Sequence, residues 1–140
     1  MDFTAIIIVL FGATFGLILR MFIQNNIKIN LGFNIQNTTI VNLIASFLLG
    51  IFVAHNYLNN HILLLFYTGF LGCFSTFSSF IYQLFVLFQK RKFMRLFFHY
   101  FEVIILSFIC FYLGYYLMII IQWKYAVFFI FFLLVIQLLF

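Results

Sequence analysis

The chain has 140 residues, of which 68% are hydrophobic and 6% are charged, and it contains no proline. Soluble domains carry roughly 25% charged residues, so this composition excludes a soluble protein and indicates an integral membrane protein of one domain. The formal net charge of +5 does not indicate a nucleic-acid partner, because the basic residues border the apolar segments, where such residues set membrane topology.

Four apolar segments approach or exceed the roughly 20 residues that a helix needs to cross a bilayer. They are Phe3 to Ile23, Thr38 to Ala54, Ile62 to Phe88 and Leu96 to Ile121. The first has no basic region before it and no small-residue cleavage site, so we expect a retained helix and not a signal peptide. Residues 1–121 are therefore expected to form a four-helix domain in contact with membrane lipid.

Residues 122–140 are predicted to be an apolar C-terminal extension. The run from Tyr125 to Phe140 has only 16 residues, which is short for a crossing. A fifth crossing is the alternative, but we favour a separate tail helix, packed along the membrane interface or against the fourth helix. The connector from Gln24 to Asn37 is rich in amides and could include a short interfacial turn.

Basic residues are distributed unevenly between the two sides of the membrane. The connectors after the first and third helices contain Lys28, Lys90, Arg91, Lys92 and Arg95. The opposite side carries only Lys124. By the positive-inside rule, both termini of a chain that inserts alone are expected outside the cytoplasm. The two cysteines, Cys73 and Cys110, lie in apolar runs and show no disulfide or metal-ligand spacing.

The segment from Gly69 to Phe80 places two glycines and four hydroxyl groups inside the third apolar run. Polar groups and irregular backbone are tolerated at membrane depth where they build a site or line a wet path. We therefore predict that the third helix is broken near its middle and that the functional site lies there. Ring edges of Phe77 and Phe80 could stabilise an anion, whereas freed carbonyls of Gly72 and Ser75 would suit a hard cation.

The first two helices carry small and polar residues at helical spacing. Gly12 and Gly16 are four residues apart, which permits close helix packing, and Arg20 continues their face. Arg20 is expected to reach the interface or to pair with a buried carbonyl or helix end. The second helix has a polar stripe formed by Thr38, Asn42, Ser46 and Gly50. The amide of Asn42 needs a partner in a neighbouring helix, a water file or a solute.

In the fourth helix, Arg95, His99 and Glu102 lie within one narrow arc. They could form a proton relay, but we favour an interfacial ion network, because the basic loop is two turns away. Ser107, Cys110 and Gly114 continue a small-residue face deeper into the membrane. Asp2 and Glu102 are the only acidic residues, so paired carboxylates for catalysis are excluded and an enzyme is not expected.

Three motifs in order resemble the Fluc (CrcB) family of small fluoride channels, over nearly the whole chain to about Ile121. The family's first-helix glycines followed by arginine are similar to Gly12, Gly16 and Arg20. Its second-helix pattern is similar to Asn42, Phe47 and Gly50. Its third-helix signature, G-x-x-G-x-x-T-T-F-S-T-F, is similar to Gly69 to Phe80, with serine in place of threonine at positions 75 and 79.

The resemblance implies an antiparallel, dual-topology dimer with two fluoride pores in a bacterial plasma (inner) membrane. The pore residues would be Asn42, Thr76, Phe77, Ser79, Phe80 and Ser107. Carbonyls of Gly72 and Ser75 from both subunits would hold a structural sodium ion at the dimer centre, while Gly12, Gly16 and Arg20 would be structural. Fluoride would leave the cytoplasm passively, down its electrochemical gradient. The charge bias leaves open an alternative to the homodimer, in which the chain pairs with an oppositely oriented homologue.

The chain departs from the family pattern at several positions. Gln83 stands where the family often has glutamate, His99 where tyrosine or an amide is common, and Val103 has no hydroxyl.

Two alternative functions remain. A small multidrug exporter coupled to protons also has four helices, but it needs a glutamate in the first helix, where this chain has no acid beyond Asp2. A non-conducting membrane subunit would use the polar stripe only for packing.

Overall fold

The computed structural model describes the backbone of residues 3–26, 37–55 and 59–139, and the side chains of these residues except 37 and 126–139. All regular structure in these ranges is helical and no strand occurs there. The elements are α1 (Phe3–Asn26), α2 (Asn37–Ala54), α3 (Asn60–Leu63), a π-helical segment (Leu64–Leu71), α4 (Gly72–Phe74), α5 (Phe77–Gln89) and α6 (Phe93–Leu139). The prediction of an all-α membrane protein is confirmed.

Among the residues that the structure describes, three stretches are long and apolar enough to cross a membrane, namely Phe3–Asn26, Asn60–Gln89 and Phe93–Tyr125. We refer to Asn60–Gln89 as the third crossing. The apolar helix α2 has 18 residues and is about 27 Å long at 1.5 Å per residue. It is therefore slightly shorter than a hydrocarbon core of about 30 Å. The chain is a multi-pass membrane protein.

Helix α1 packs closely against the third crossing because glycines remove side chains from the contact. A Cβ atom added to Gly12 would overlap the carbonyl oxygen of Leu65, and one added to Gly16 would overlap that of Phe70. From the other side, a Cβ on Gly69 would come within 2.7 Å of the carbonyl oxygen of Val9. Small residues at such contacts let helix backbones approach in a membrane, where dispersion forces provide much of the stabilisation.

A second pair of glycines brings α2 against α6. A Cβ atom on Gly50 would overlap the carbonyl oxygen of Phe111, and one on Gly114 would overlap that of Phe47. Each glycine therefore lies against the backbone of the other helix. The small-residue face predicted for the fourth helix at Gly114 is thus a helix–helix contact.

The buried core lies where α2 meets the middle of the third crossing, around Leu71 and Phe74. Val41 and Phe74 are completely buried, and Ala45 and Leu71 complete the cluster. Large apolar side chains along α1 and α6 instead face outward, as expected for surfaces in contact with lipid. The core therefore fixes the position of α2 relative to the residues that follow Phe74.

Helix α6 differs from the prediction at its C-terminal end. It runs without interruption from Phe93 to Leu139, so the fourth helix does not end near Ile121, and the expected separate tail helix is wrong. The sequence after Gly114 contains neither glycine nor proline, so nothing interrupts the backbone hydrogen bonds. Near the predicted boundary, Gln122 Nε2 donates to the carbonyl oxygen of Ala54, at 3.2 Å, at the end of α2.

The connectors also differ in detail from the prediction. Helix α1 extends to Asn26, and residues 27–36 of the amide-rich connector lie outside the described residues. The basic loop after the third crossing is short, because α5 includes Gln89 and α6 begins at Phe93. Arg91 has a φ angle of 52° within this turn.

Candidate functional site at the interruption of the third crossing

The third crossing leaves helical conformation at two residues. Helix α4 ends at Phe74, Ser75 is extended with φ −73° and ψ 157°, and Thr76 is extended with φ −144° and ψ 104°. Helix α5 then begins at Phe77. Helix ends leave backbone groups without helical partners, and inside a membrane these groups need other partners.

Asn42 hydrogen-bonds to the backbone of Thr76. Its Oδ1 accepts a hydrogen bond from Thr76 N–H at 2.8 Å, and its Nδ2 donates to the carbonyl oxygen of Thr76 at 3.0 Å. One amide therefore pairs with both backbone groups of one extended residue. Each such bond contributes about 1 kcal/mol. Of the three predicted partners for the Asn42 amide (a neighbouring helix, a water file or a solute), the structure shows the neighbouring helix. These hydrogen bonds hold α2 against the interruption.

Thr76 also begins the next helix. Its Oγ1 accepts from Ser79 N–H at 3.3 Å and lies 3.0 Å from Ser79 Oγ and 3.3 Å from Ser78 Oγ. This is a helix N-cap, in which a side-chain oxygen satisfies a free N–H of the first turn. The candidate pore residues Asn42, Thr76 and Ser79 are thus joined in one hydrogen-bonded group.

Two carbonyl groups at the interruption lose their normal helical donors. In a continuous helix, Gly72 O would accept from Thr76 N–H, and Ser75 O would accept from Ser79 N–H. Both N–H groups bond elsewhere, to Asn42 and to Thr76 Oγ1. The residues Gly72 and Ser75 are exposed on the surface of the single chain. Oxygen atoms released at a helix C-terminus, where the dipole is negative, suit a hard cation.

Arg20 lies at the same helix end but bonds to a different carbonyl. Its Nη1 donates to Cys73 O at 3.2 Å, and its Nε is buried without a hydrogen-bond partner among the described residues. Of the two expectations for Arg20, the structure therefore shows pairing with a carbonyl at a helix end. A positive charge there stabilises the C-terminus of α4 through the helix dipole.

Phe77 and Phe80 form a tilted aromatic pair, with ring centroids 6.4 Å apart and an interplanar angle of 50°. Their surroundings differ. Phe77 is 75% exposed, whereas Phe80 is 9% exposed. Phe80 stacks on Tyr100 at 6.1 Å and lies 6.4 Å from the imidazole of His99. Phe80 thus packs against α6, whereas Phe77 projects from the surface of the chain.

A buried polar cluster next to Phe80 was not predicted from the sequence. Gln83, 4% exposed, donates through Nε2 to Thr38 Oγ1, and its Oε1 lies 3.4 Å from Thr39 Oγ1 and 3.0 Å from His99 Nε2. The cluster therefore joins α2, α5 and α6. Before its last residue, Gln89, α5 contains one amide side chain, that of Gln83, three residues after Phe80. An amide at this position of an apolar helix is the sequence feature that indicates the cluster.

The predicted ion network of Arg95, His99 and Glu102 is wrong for the described residues. His99 hydrogen-bonds to Gln83, and no ion pair joins the three side chains within the part of the chain that is described. Helical spacing places the three on one arc, but the imidazole points to α5. Ser107, two turns beyond His99, is half-buried and is not brought into the group formed by Asn42, Thr76 and Ser79.

Comparison with known proteins gives a family match over most of the chain. The profile of the family described as "CrcB-like protein, Camphor Resistance (CrcB)" matches residues 7–115. This range includes every residue discussed for the interruption and for the polar cluster around Gln83.

Three curated relatives illustrate the range of similarity. A "Fluoride-specific ion channel FluC 2" of Prochlorococcus marinus (strain MIT 9312) is 81% identical over 122 residues, covering 87% of this chain and 100% of the relative. A protein of the same name from Prochlorococcus marinus subsp. pastoris is 50% identical over 84% of this chain and 95% of the relative. A "Fluoride-specific ion channel FluC" of Thermosipho melanesiensis is 34% identical over 64% of this chain and 77% of the relative.

Proposed function

Because the chain belongs to the CrcB-like protein family, we propose that it is a fluoride-selective ion channel. Fluoride would leave the cytoplasm passively through it, which lowers fluoride toxicity. The relatives are named as ion channels, and the chain is not an enzyme. The proposal places the protein in a bacterial plasma (inner) membrane.

The observation that carries this proposal is the interruption at Ser75 and Thr76, with Asn42 bonded across it. A polar interruption at membrane depth is tolerated where the backbone is bonded by protein or lines a wet path. Here α2 bonds one side of the interruption, and Phe80 lies at the start of the next helix. Asn42, Thr76 and Ser79 would offer hydrogen-bond donors to fluoride, and ring edges of Phe77 and Phe80 would add weak positive potential.

The channel is proposed to work as an antiparallel dimer with two pores. Three features of the exposed surface support this arrangement: Phe77 is 75% exposed, and Gly72 and Ser75 are exposed beside it. A second copy would cover Phe77 and contribute its own ring to each pore. The interruption of the third crossing at Ser75 and Thr76 is proposed to persist in this dimer.

A structural sodium ion is proposed at the dimer centre. The carbonyl oxygens of Gly72 and Ser75 would be its ligands from each subunit, since their helical donors bond elsewhere. The donor set consists of neutral oxygens, which suit a hard cation. The ion would neutralise the negative ends of two helix dipoles that meet at the interface.

Two arrangements of the chain in the membrane are proposed. We favour a homodimer in which the chain inserts both ways, because every pore element of the family is present in this one sequence. The excess of Lys and Arg on one side favours the other form, in which the chain pairs with an oppositely oriented homologue. Residues 1–121 would carry the channel in either form, and residues 122–140 would be an apolar extension of α6.

A proton-coupled multidrug exporter is the second functional class. It would need a buried acid in the first crossing, and the only charged residue in α1 is Arg20. A non-conducting subunit is the third class. It would explain the glycine contacts but would have no use for an interrupted helix beside an exposed aromatic ring.

Efflux from liposomes separates these classes. The purified chain is reconstituted into vesicles loaded with fluoride, and efflux is followed with a fluoride electrode after an ionophore balances the charge. We expect fluoride release without a proton gradient or a drug, and no comparable release of chloride. Release that needs a proton gradient would contradict the proposed function. So would the absence of release both from this chain alone and from this chain combined with an oppositely oriented homologue.

A further inference from the structure

We propose that the turn between α5 and α6 binds the anionic headgroup of a membrane phospholipid. The turn and the start of α6 carry Lys90, Arg91, Lys92 and Arg95, and we refer to these four residues as the basic turn. Basic residues at a membrane surface generally set topology; these four also select the lipid that lies beside the chain. This binding does not depend on fluoride conduction, so its tests are independent of the proposed channel function.

The basic turn is held at the membrane surface by the two apolar stretches that it joins. The third crossing ends at Gln89 and the stretch Phe93–Tyr125 follows, so only residues 90–92 connect them. All four basic side chains are exposed. Beside them, Phe88, Phe93 and Met94 are 56%, 57% and 71% exposed. An apolar surface next to a basic one fits the boundary between acyl chains and headgroups, because long basic side chains reach the headgroups from that depth.

The charge of the basic turn is not balanced within the protein. None of its four side chains forms an ion pair or a hydrogen bond within residues 3–26, 37–55 and 59–139. The chain has seven lysine and arginine residues and two acidic ones; Glu102 lies roughly 10 Å further along α6 than Arg95. A second copy of the chain brings the same excess of positive charge, so a dimer does not neutralise the turn. The anions concentrated at a membrane surface are lipid headgroups.

The backbone of the turn has a conformation that favours glycine over arginine. Lys92 N–H donates to the carbonyl oxygen of Leu87 at 3.1 Å, and Arg91 N–H donates to that of Phe88 at 2.9 Å. This is the hydrogen-bond pattern of a Schellman helix end, in which the position of Arg91 is usually glycine. A φ angle of 52° is unfavourable for a residue with a Cβ atom. Strained residues concentrate at functional sites, and binding of an anion by Arg91 offsets this strain.

A phospholipid fits this surface better than a soluble phosphate or an acidic protein. Clusters of four or more lysines and arginines next to a membrane helix are typical of segments that bind anionic lipids. A lipid contacts the chain twice, through its headgroup at the basic turn and through its acyl chains at Phe88 and Phe93, whereas a soluble phosphate contacts it once. Each basic side chain near an anionic surface raises the affinity about fivefold.

The single tryptophan of the chain, Trp123, permits a site-specific test. Trp123 is 70% exposed beside Lys124, at the other end of the stretch Phe93–Tyr125. The double variant Phe93→Trp/Trp123→Phe moves the only tryptophan to the basic turn. In vesicles of phosphatidylcholine and phosphatidylglycerol, quenching by the brominated form of each lipid measures the lipid composition next to the tryptophan. Phosphatidylglycerol should be enriched at least about fivefold more at position 93 than at position 123, for one or more additional basic side chains. Equal enrichment at the two positions would overturn the proposal.

Further variants in the Phe93→Trp/Trp123→Phe background separate charge from backbone conformation. Arg91→Gly should lower the enrichment of phosphatidylglycerol about fivefold, while the melting temperature in phosphatidylcholine stays equal or rises, because glycine relieves the strain. Lys90→Gln/Lys92→Gln should also lower the enrichment. The matched control, Lys124→Gln, removes a positive charge at the other end and should keep it. Unchanged enrichment in both turn variants would overturn the selection of lipid by charge. Loss of the enrichment on addition of millimolar glycerol phosphate would show a site for free phosphate and overturn the assignment to lipid.

Discussion

Replacing Asn42 by aspartate tests the contact between α2 and the interruption with the smallest possible change of shape. The carboxylate can still accept the hydrogen bond from Thr76 N–H, at 2.8 Å in the wild type. Its second oxygen, however, would face the carbonyl oxygen of Thr76, which in the wild type accepts a hydrogen bond from Asn42 Nδ2 at 3.0 Å. The loss of one hydrogen bond and the placing of two acceptors together should cost about 1–3 kcal/mol of stability. The variant should still fold and form the proposed dimer.

The effect on fluoride should be much larger. A negative charge about 6 Å from an anion, at an effective dielectric constant of about 20, raises the energy of that anion by about 3 kcal/mol. This corresponds to roughly a hundredfold lower occupancy, because each 1.4 kcal/mol is a factor of about ten. Fluoride efflux from liposomes should therefore fall to near the leak of protein-free vesicles.

The matched control makes the same substitution outside the site. Asn60 is exposed at the first position of α3, where a negative charge is compatible with the helix dipole. Asn60→Asp should keep wild-type efflux. If Asn42→Asp elutes as a folded dimer and releases fluoride at close to the wild-type rate, Asn42 does not line the fluoride path.

Three further predictions concern the rings, the glycines and the cation. Phe80→Ile should reduce fluoride efflux strongly, whereas Phe88→Ile should not, since Phe88 is 56% exposed and contacts Phe93; equal losses would indicate a general packing effect. Gly50→Ala should lower thermal stability or prevent assembly, because its Cβ would overlap Phe111 O; an unchanged melting temperature would contradict the close contact of α2 and α6. Replacing sodium by a larger cation should weaken the dimer through loss of a bound ligand, and dimer stability independent of sodium would exclude the proposed ion.

The crossings and their close contacts follow largely from the sequence. Bilayer thickness sets the minimum length of an apolar helix that crosses the membrane, and glycine spacing predicts where helices approach. The spacing of Gly12 and Gly16 therefore predicts a close helix contact. Their partners, Leu65 and Phe70, could not be predicted, because spacing on one helix does not say which helix lies opposite.

The same limit explains the errors at polar residues. Arg95, His99 and Glu102 share an arc of α6, and opposite charges at helical spacing attract each other. In the structure His99 instead bonds to Gln83, which α2 holds in place. This preference depends on the position of α5 after the interruption, and helical periodicity carries no information about it.

The prediction that the fourth helix ends near Ile121 is wrong for a different reason. A boundary near Ile121 follows from the length of a bilayer crossing, but bilayer thickness does not end a helix. Ends need a residue that breaks the hydrogen bonds or caps them, and the sequence after Gly114 has neither glycine nor proline. The helix of 47 residues is about 70 Å long at 1.5 Å per residue.

Current through a planar bilayer tests the proposed function most directly. The purified single chain is inserted between solutions that contain unequal fluoride and equal chloride, and the voltage at which the current reverses is measured. We predict a reversal potential at the fluoride equilibrium potential, unchanged when a chloride or a pH gradient is added. A reversal potential that follows the chloride or the pH gradient would contradict a fluoride-selective channel. So would the absence of current in both preparations, the single chain and the chain combined with an oppositely oriented homologue.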